Sequence, residues 1–253
     1  WEIRKRRTIE RPDFIYSKIG ARIAEQKELI RAIALKADAT PDCIRFDLGQ
    51  PDFDTPAHIK EAAIEAIQEG KTGYAPVRGL APLRDAIAKY EAKKGLEVSK
   101  DHVLVTAGAM EALFVAMVGL LNPRDKVLAS DPLYGPYRAI AATANLVLVS
   151  KPFVRDGKMA LERLSVDART RAILVNSPEN PTGRVYSETE LKKLARFAAE
   201  HDLLIISDEV YDQLVFEGEH VSIARFAPRQ TVIVNSVSKS FAMTGWRVGW
   251  LLG

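Results

Sequence analysis

The chain has 253 residues, 47% of them hydrophobic, with 36 Lys and Arg against 33 Asp and Glu for a formal net charge of +3. That is enough apolar material for one large α/β domain or two smaller ones, and a small charge excess scattered along the chain does not imply a nucleic-acid partner. The single cysteine, Cys43, excludes an internal disulfide and suits a reducing compartment, so the cytoplasm is the expected location.

Along the chain, the basic run Arg4-Lys5-Arg6-Arg7 reads as a solvated terminus without a function of its own. Residues 1–45 read as an N-terminal arm with one amphipathic stretch, Ala21 to Ala37, at helical spacing. Thr55 then offers an N-cap, Pro56 the first helical position, and Gly70 a left-handed stop for a helix ending near Glu69. A further helix is predicted over Leu80 to Lys94, stopping at Gly95. The longest strongly apolar run, Ala112 to Leu121, falls short of the about 20 residues a membrane helix needs, and no secretion signal is visible.

From His102 the pattern changes to short β-rich runs separated by helical segments: HVLVT, KVLAS, LVLVS, RAILVN, LLIISD, TVIVNS and RVGWLL. Runs apolar on both faces and alternating with helices predict a three-layer α/β sandwich, a mostly parallel sheet covered on each side. Ser187, followed by Glu190, marks a helix start with a capping box. The linker between TVIVNS and RVGWLL is short for a helical crossover, so the last strand is expected to run antiparallel. The chain begins at Trp1 without methionine and stops at Gly253 directly after a β-like segment, and so reads as a fragment.

In an open parallel sheet, ligands bind where the carboxyl ends of the strands converge. Those ends carry Gly108-Ala109-Met110 opening a helix, Tyr134, Asn180, Asp208 with Tyr211, and Ser236, Ser238 and Lys239. The helix opening is a plausible phosphate cradle, and Arg247 with the two serines has the right groups to complete it, the alternative for Arg247 being a surface ion pair. Neither G-x-G-x-x-G nor the P-loop pattern is present. Asp208, at the rim of the core, needs a cation, whether a ligand's pyridinium or a nearby Lys or Arg. Lys239, at the end of a buried run, is expected to have a lowered pKa and to act as a nucleophile toward an aldehyde.

Seven stretches in order and spacing, DLGQPDFDTP, GKTGYAPVRG, VTAGAMEAL, DPLYGPY, NSPENPTG, SDEVY and SVSKSFAMTGWRVGW, resemble the class I aminotransferases, enzymes of fold type I dependent on pyridoxal 5′-phosphate. The resemblance covers nearly the whole chain from about residue 15 and implies specific roles. Lys239 would hold the cofactor as a Schiff base and shuttle the proton, Asp208 would pair with the pyridine nitrogen, and Asn180 and Tyr211 would donate to the phenolic oxygen. Tyr134 would stack on the ring, and Gly108, Ala109, Met110, Ser236, Ser238 and Arg247 would hold the phosphate. Tyr74 would reach the phosphate of a neighbouring subunit, implying a homodimer with shared sites. Gly49, Asn180 and Tyr134 would border the substrate.

By the same resemblance, residues 1–45 are the arm and part of a small domain, and residues 46–253 the large cofactor-binding domain. The rest of the small domain, with the arginine that clamps the substrate carboxylate, would lie beyond this chain. The isolated chain is then expected to bind cofactor weakly and turn over little. The implied reaction is transamination between an amino acid and a 2-oxo acid. A carbon–sulfur β-lyase of the same fold and an aminotransferase-like regulatory domain are the competing readings. No metal site is expected.

Overall fold

A computed structural model describes Gly20, residues 29–45, Asp47 and residues 49–253. The basic run and residues 21–28 of the amphipathic stretch lie outside these residues. The remainder of that stretch forms helix α1, Leu29–Asp38.

Helices α2 (Ala57–Gln68) and α3 (Ala81–Ala92) fall where their punctuation predicts, and Gly70 and Gly95 adopt the left-handed conformation at their ends. Thr55 is not the cap of α2. Pro56 occupies that position without a side-chain bond, while the buried Thr55 hydroxyl donates to the Ala242 carbonyl at 2.6 Å and accepts from Trp246 Nε1 at 3.2 Å. A long-range bond has thus taken the oxygen that sequence assigned to a local one.

Seven strands form one sheet: β1 (Val103–Thr106), β2 (Lys126–Ala129), β3 (Val147–Ser150), β6 (Thr170–Asn176), β7 (Leu204–Asp208), β8 (Thr231–Ser236) and β9 (Gly249–Leu252). Their order is β1-β9-β8-β7-β6-β2-β3, with every neighbouring pair parallel except β9, which is antiparallel to both β8 and β1. The antiparallel last strand follows from its short connection, which consists of the Lys239 segment and a 3₁₀ turn over Thr244–Trp246. Strands β4 (Val154–Arg155) and β5 (Lys158–Met159) make a separate hairpin around Asp156 and Gly157, both at positive φ.

The sheet separates two apolar layers. On one face, α4 (Ala109–Leu120) and α5 (Pro136–Thr143) pack Leu113, Met117, Tyr137 and Ile140 against Val127, Leu174, Ile206 and Val234. On the other, α6 (Glu188–Glu200) packs Leu191 and Leu194 against the alternate strand positions Leu128, Ile173 and Ile205, and α3 continues this layer over Ile233 and Trp250. The capping box of α6 is present, with Ser187 Oγ accepting from Glu190 N and Glu190 Oε2 accepting from Ser187 N at 2.9 Å. LVLVS departs from the expectation of two covered faces: β3 is a sheet edge, and Val147 is exposed.

Candidate active site

Because β9 alone is reversed, the other six strands all present their carboxyl ends on one side of the sheet. There a cavity of about 480 Å³ opens, within the range of about 300–1,000 Å³ typical of small-ligand sites. Its lining brings together Gly49, Ala109, Met110, Tyr134, Asn180, Asp208, Tyr211, Ser236, Ser238, Lys239 and Arg247, which are residues singled out from sequence. Tyr74 is not among them; it stands fully exposed, away from the cavity of its own chain.

Asp208, 4% exposed, ends β7 on the cavity floor. Burial raises its carboxyl from 3.8 to about 6, against hydrogen bonds from Tyr137 and from the Val210 amide that favour the charged form. Among the described residues it has no ion-pair partner, so the alternative of a Lys or Arg partner is not realised there, and the Tyr137 hydroxyl donates to Oδ2 at 2.6 Å. Sequence reasoning passed over Tyr137. Its one signal was an aromatic three positions after Tyr134 at a helix opening, and in the structure the two rings meet edge to face at 5.4 Å.

Lys239 lies on the opposite wall, half-buried, with Nζ donating to the Gly49 carbonyl at 2.5 Å. Burial lowers its pKa and the nearby Arg247 charge adds to the effect, with Asp208 opposing. A larger share of the amine is therefore in the nucleophilic neutral form than for a solvated lysine. Tyr211 accepts a hydrogen bond from Asn180 Nδ2 at 3.0 Å. Burial pushes the Tyr211 phenol up, so its hydroxyl keeps a proton to donate into the cavity.

The phosphate-like end is built on a close approach of backbones. Gly108, at φ 90°, caps α4, and a Cβ there would fall 2.3 Å from Arg247 Nη2. Arg247 makes no ion pair among the described residues; its guanidinium donates to the carbonyls of Thr244 at 2.9 Å and Ala107 at 3.2 Å. These bonds hold it beside the first turn of α4, where the helix leaves N–H groups without backbone partners. Ser236 and Ser238 line the same end. A buried carboxylate with no ion-pair partner among the described residues, an amine of lowered pKa, an aromatic wall and an anion cradle in one cavity fit a pyridine aldehyde carrying a phosphate.

Residues 41–253 match the family described as aminotransferase class I and II. The chain belongs to this family. Its members are dependent on pyridoxal phosphate, in agreement with the donor set of the cavity. Among relatives, the aspartate/prephenate aminotransferase of Thermus thermophilus is 43% identical over 219 residues, 84% of this chain and 56% of that protein. An arginine–pyruvate transaminase of Pseudomonas aeruginosa is 41% identical over 88% of this chain and 58% of its own length. The solved structure of aspartate aminotransferase from Thermus thermophilus with maleate superposes with a TM-score of 0.82 at 40% identity, covering 94% of this chain and 62% of that one. The chain thus spans less than two thirds of the aminotransferases it resembles, and it shares their fold type I architecture.

A buried cluster that sequence did not signal draws its members from three separate segments. Lys94 sits within ion-pair distance of Glu91 (2.8 Å), Asp212 (2.7 Å) and Glu209 (3.2 Å), all buried. His220 Nε2 lies 3.0 Å from Glu209, and Ser222 donates to Glu209 at 2.6 Å. Burial opposes ionisation of Glu209, but Lys94 and His220 outweigh it and hold that carboxyl well below the usual range. Burial and the charge on Glu209 push Glu91 the other way.

Proposed function

We propose that the protein transfers an amino group between an L-amino acid and a 2-oxo acid with pyridoxal 5′-phosphate, through covalent attachment at Lys239. The observation that carries this is the meeting, in one cavity, of a half-buried lysine of lowered pKa with a buried carboxylate that has no ion-pair partner among the described residues. When bound, the cofactor supplies an aldehyde that condenses with amines and a ring that takes up the electrons released at the substrate α-carbon. Asp208 would hold a proton on the pyridine nitrogen, Asn180 and Tyr211 would donate to the phenolic oxygen, and Tyr134 would pack against the ring. Gly108, Ala109, Met110, Ser236, Ser238 and Arg247 bind the phosphate. Once the substrate amine has displaced it from the aldehyde carbon, Lys239 would carry the proton from the substrate α-carbon to that carbon. Gly49, Asn180 and Tyr134 border the substrate.

We further infer a homodimer in which Tyr74 reaches the partner's phosphate site. Its full exposure supports this, as do Ile64 and Ile67 on α2, a helix with no buried residue. Residues 46–253 form the large cofactor-binding domain, residues 1–45 the arm and part of a small domain, and a cytoplasmic location fits the single free Cys43. Among the described residues, Arg247 is the sole arginine lining the cavity, and we assign it to the phosphate.

The test, run on the full-length protein, is a panel of acidic, aromatic, aliphatic and basic amino donors with pyridoxal phosphate and 2-oxoglutarate. Formation of the oxo acid of one donor class, strictly dependent on the acceptor, is the expected result. Pyruvate and ammonia from a cysteine conjugate without an acceptor would establish β-elimination instead.

A further inference from the structure

Lys239 and Tyr211 face each other across the cavity, with Nζ 5.8 Å from the centroid of the tyrosine ring. The next residue on each segment, Ser240 and Asp212, stays out of the cavity lining. There Ser240 Oγ donates to Asp212 Oδ1 at 3.3 Å. The two segments that supply the cavity with its amine and its phenol are therefore joined through their very next side chains.

Asp212 is 4% exposed and serves more than this one bond. Its Oδ2 accepts from Asn235 Nδ2 at 2.9 Å and from the Tyr90 hydroxyl at 3.0 Å, and lies 2.7 Å from Lys94 Nζ. Asn235 in turn accepts from the Ser236 amide at 2.7 Å, at the point where β8 leaves the sheet toward Lys239. One carboxylate thus ties together α3, the end of β8, the Lys239 segment and its own turn after β7. Apolar side chains of the same volume would stabilise such a site about as well as a buried ion pair does. What the carboxylate adds is direction, since each bond fixes the orientation of the group that makes it.

We propose that Asp212 is a positioning residue for Lys239: through Ser240 and Asn235 it sets where the amine stands relative to Tyr211 and Asp208, while touching neither cofactor nor substrate. The proposal rests on the reading of Lys239 as the amine that captures the aldehyde of pyridoxal phosphate. Displacing a reacting group by about 1 Å can cost about a hundredfold in rate, so loosening this anchor should be felt in covalent capture before it is felt in binding.

Two ligands separate those effects. Pyridoxal phosphate is captured by Lys239, whereas pyridoxamine phosphate offers the same ring and phosphate without an aldehyde. In Asp212→Ala, stopped-flow absorbance should show capture of pyridoxal phosphate slowed about tenfold or more, with the pyridoxamine phosphate Kd changed less than about twofold. Asp212→Asn can keep an acceptor toward Ser240 but sets its amide N–H groups against the Asn235, Tyr90 and Lys94 donors, so it should recover only part of the lost rate. Ser240→Ala removes only the bond on the lysine side and should slow capture about threefold with the same selectivity, which keeps the test available if Asp212→Ala does not fold. Equal losses for both ligands, or unchanged capture in Ser240→Ala and Asp212→Ala, would overturn the positioning role. If the unsubstituted protein captures no pyridoxal phosphate, it is the functional reading that fails.

Discussion

Tyr137→Phe isolates one hydroxyl on which the charge of Asp208 depends. The ring is buried in the α4–α5 layer and would stay there, so the change removes the 2.6 Å bond to Asp208 Oδ2 and little else. A hydrogen bond contributes about 1.5–3 kcal/mol to a charged group and about 1 kcal/mol to a neutral one, and the difference of about 0.5–2 kcal/mol, at 1.36 kcal/mol per pH unit, should raise the Asp208 midpoint by about 0.5–1.5 pH units. In the unsubstituted, cofactor-free protein that midpoint is already raised from 3.8 to about 6. A carboxyl that keeps its proton longer in the folded state stabilises folding below its unfolded pKa, and this is lost as pH rises through the folded value. The interval from 3.8 to about 6 is worth about 3 kcal/mol at 1.36 kcal/mol per pH unit. In Tyr137→Phe the decline should continue to about pH 6.5–7.5 and deepen by about 0.5–2 kcal/mol. Urea unfolding of the cofactor-free proteins would read this as a deficit of about 1 kcal/mol at pH 5, where only a neutral bond is lost, growing to about 1.5–3 kcal/mol at pH 8. A deficit of the same size at both pH values would refute the bond to an ionised Asp208.

Two further substitutions probe the frame around the cavity. Lys94→Met leaves Glu91, Glu209 and Asp212 buried without their shared cation, and should cost about 3–5 kcal/mol in urea unfolding; an unchanged midpoint would contradict the charge cluster. Gly249→Ala would put a Cβ 2.5 Å from the Gly108 carbonyl carbon and 2.6 Å from the Ala109 amide nitrogen. Forcing these backbones apart should cost about 1–3 kcal/mol and weaken pyridoxal phosphate binding, read together by thermal melts and fluorescence titration; full stability with full affinity would show that the close approach is dispensable.

Much of this frame was legible in the sequence because it depends on local chemistry. The β-rich runs gave all seven sheet strands, and the short connection before RVGWLL announced the reversed β9. Strand ends rich in polar and small residues pointed to the cavity because sheet geometry alone gathers them there. The misses are long-range. Thr55 had the chemistry of a cap but was drawn into a bond with Ala242 across the chain, and LVLVS read as fully covered because hydropathy does not reveal which strand is an edge. Tyr137, Lys94 and Asp212 matter through partners 71, 115 and 28 positions away, separations at which no sequence period operates. Arg247 was expected in an ion pair or on a phosphate; it is itself left-handed at the end of the Thr244–Trp246 turn, and its carbonyl partners are Thr244 in that turn and Ala107, 140 positions away, which no motif links.

The central claim is that one amine, on the segment after β8, is the group that bonds the cofactor. Incubating the protein with pyridoxal phosphate, reducing with borohydride and mapping the peptides by mass spectrometry tests it directly. The account predicts a reduced pyridoxyl label on Lys239 at close to one per chain, with solvent-exposed lysines such as Lys71 and Lys89 essentially free of it, and loss of the label in Lys239→Ala. Labelling spread over surface lysines, or a stoichiometric label that persists in Lys239→Ala, would contradict it.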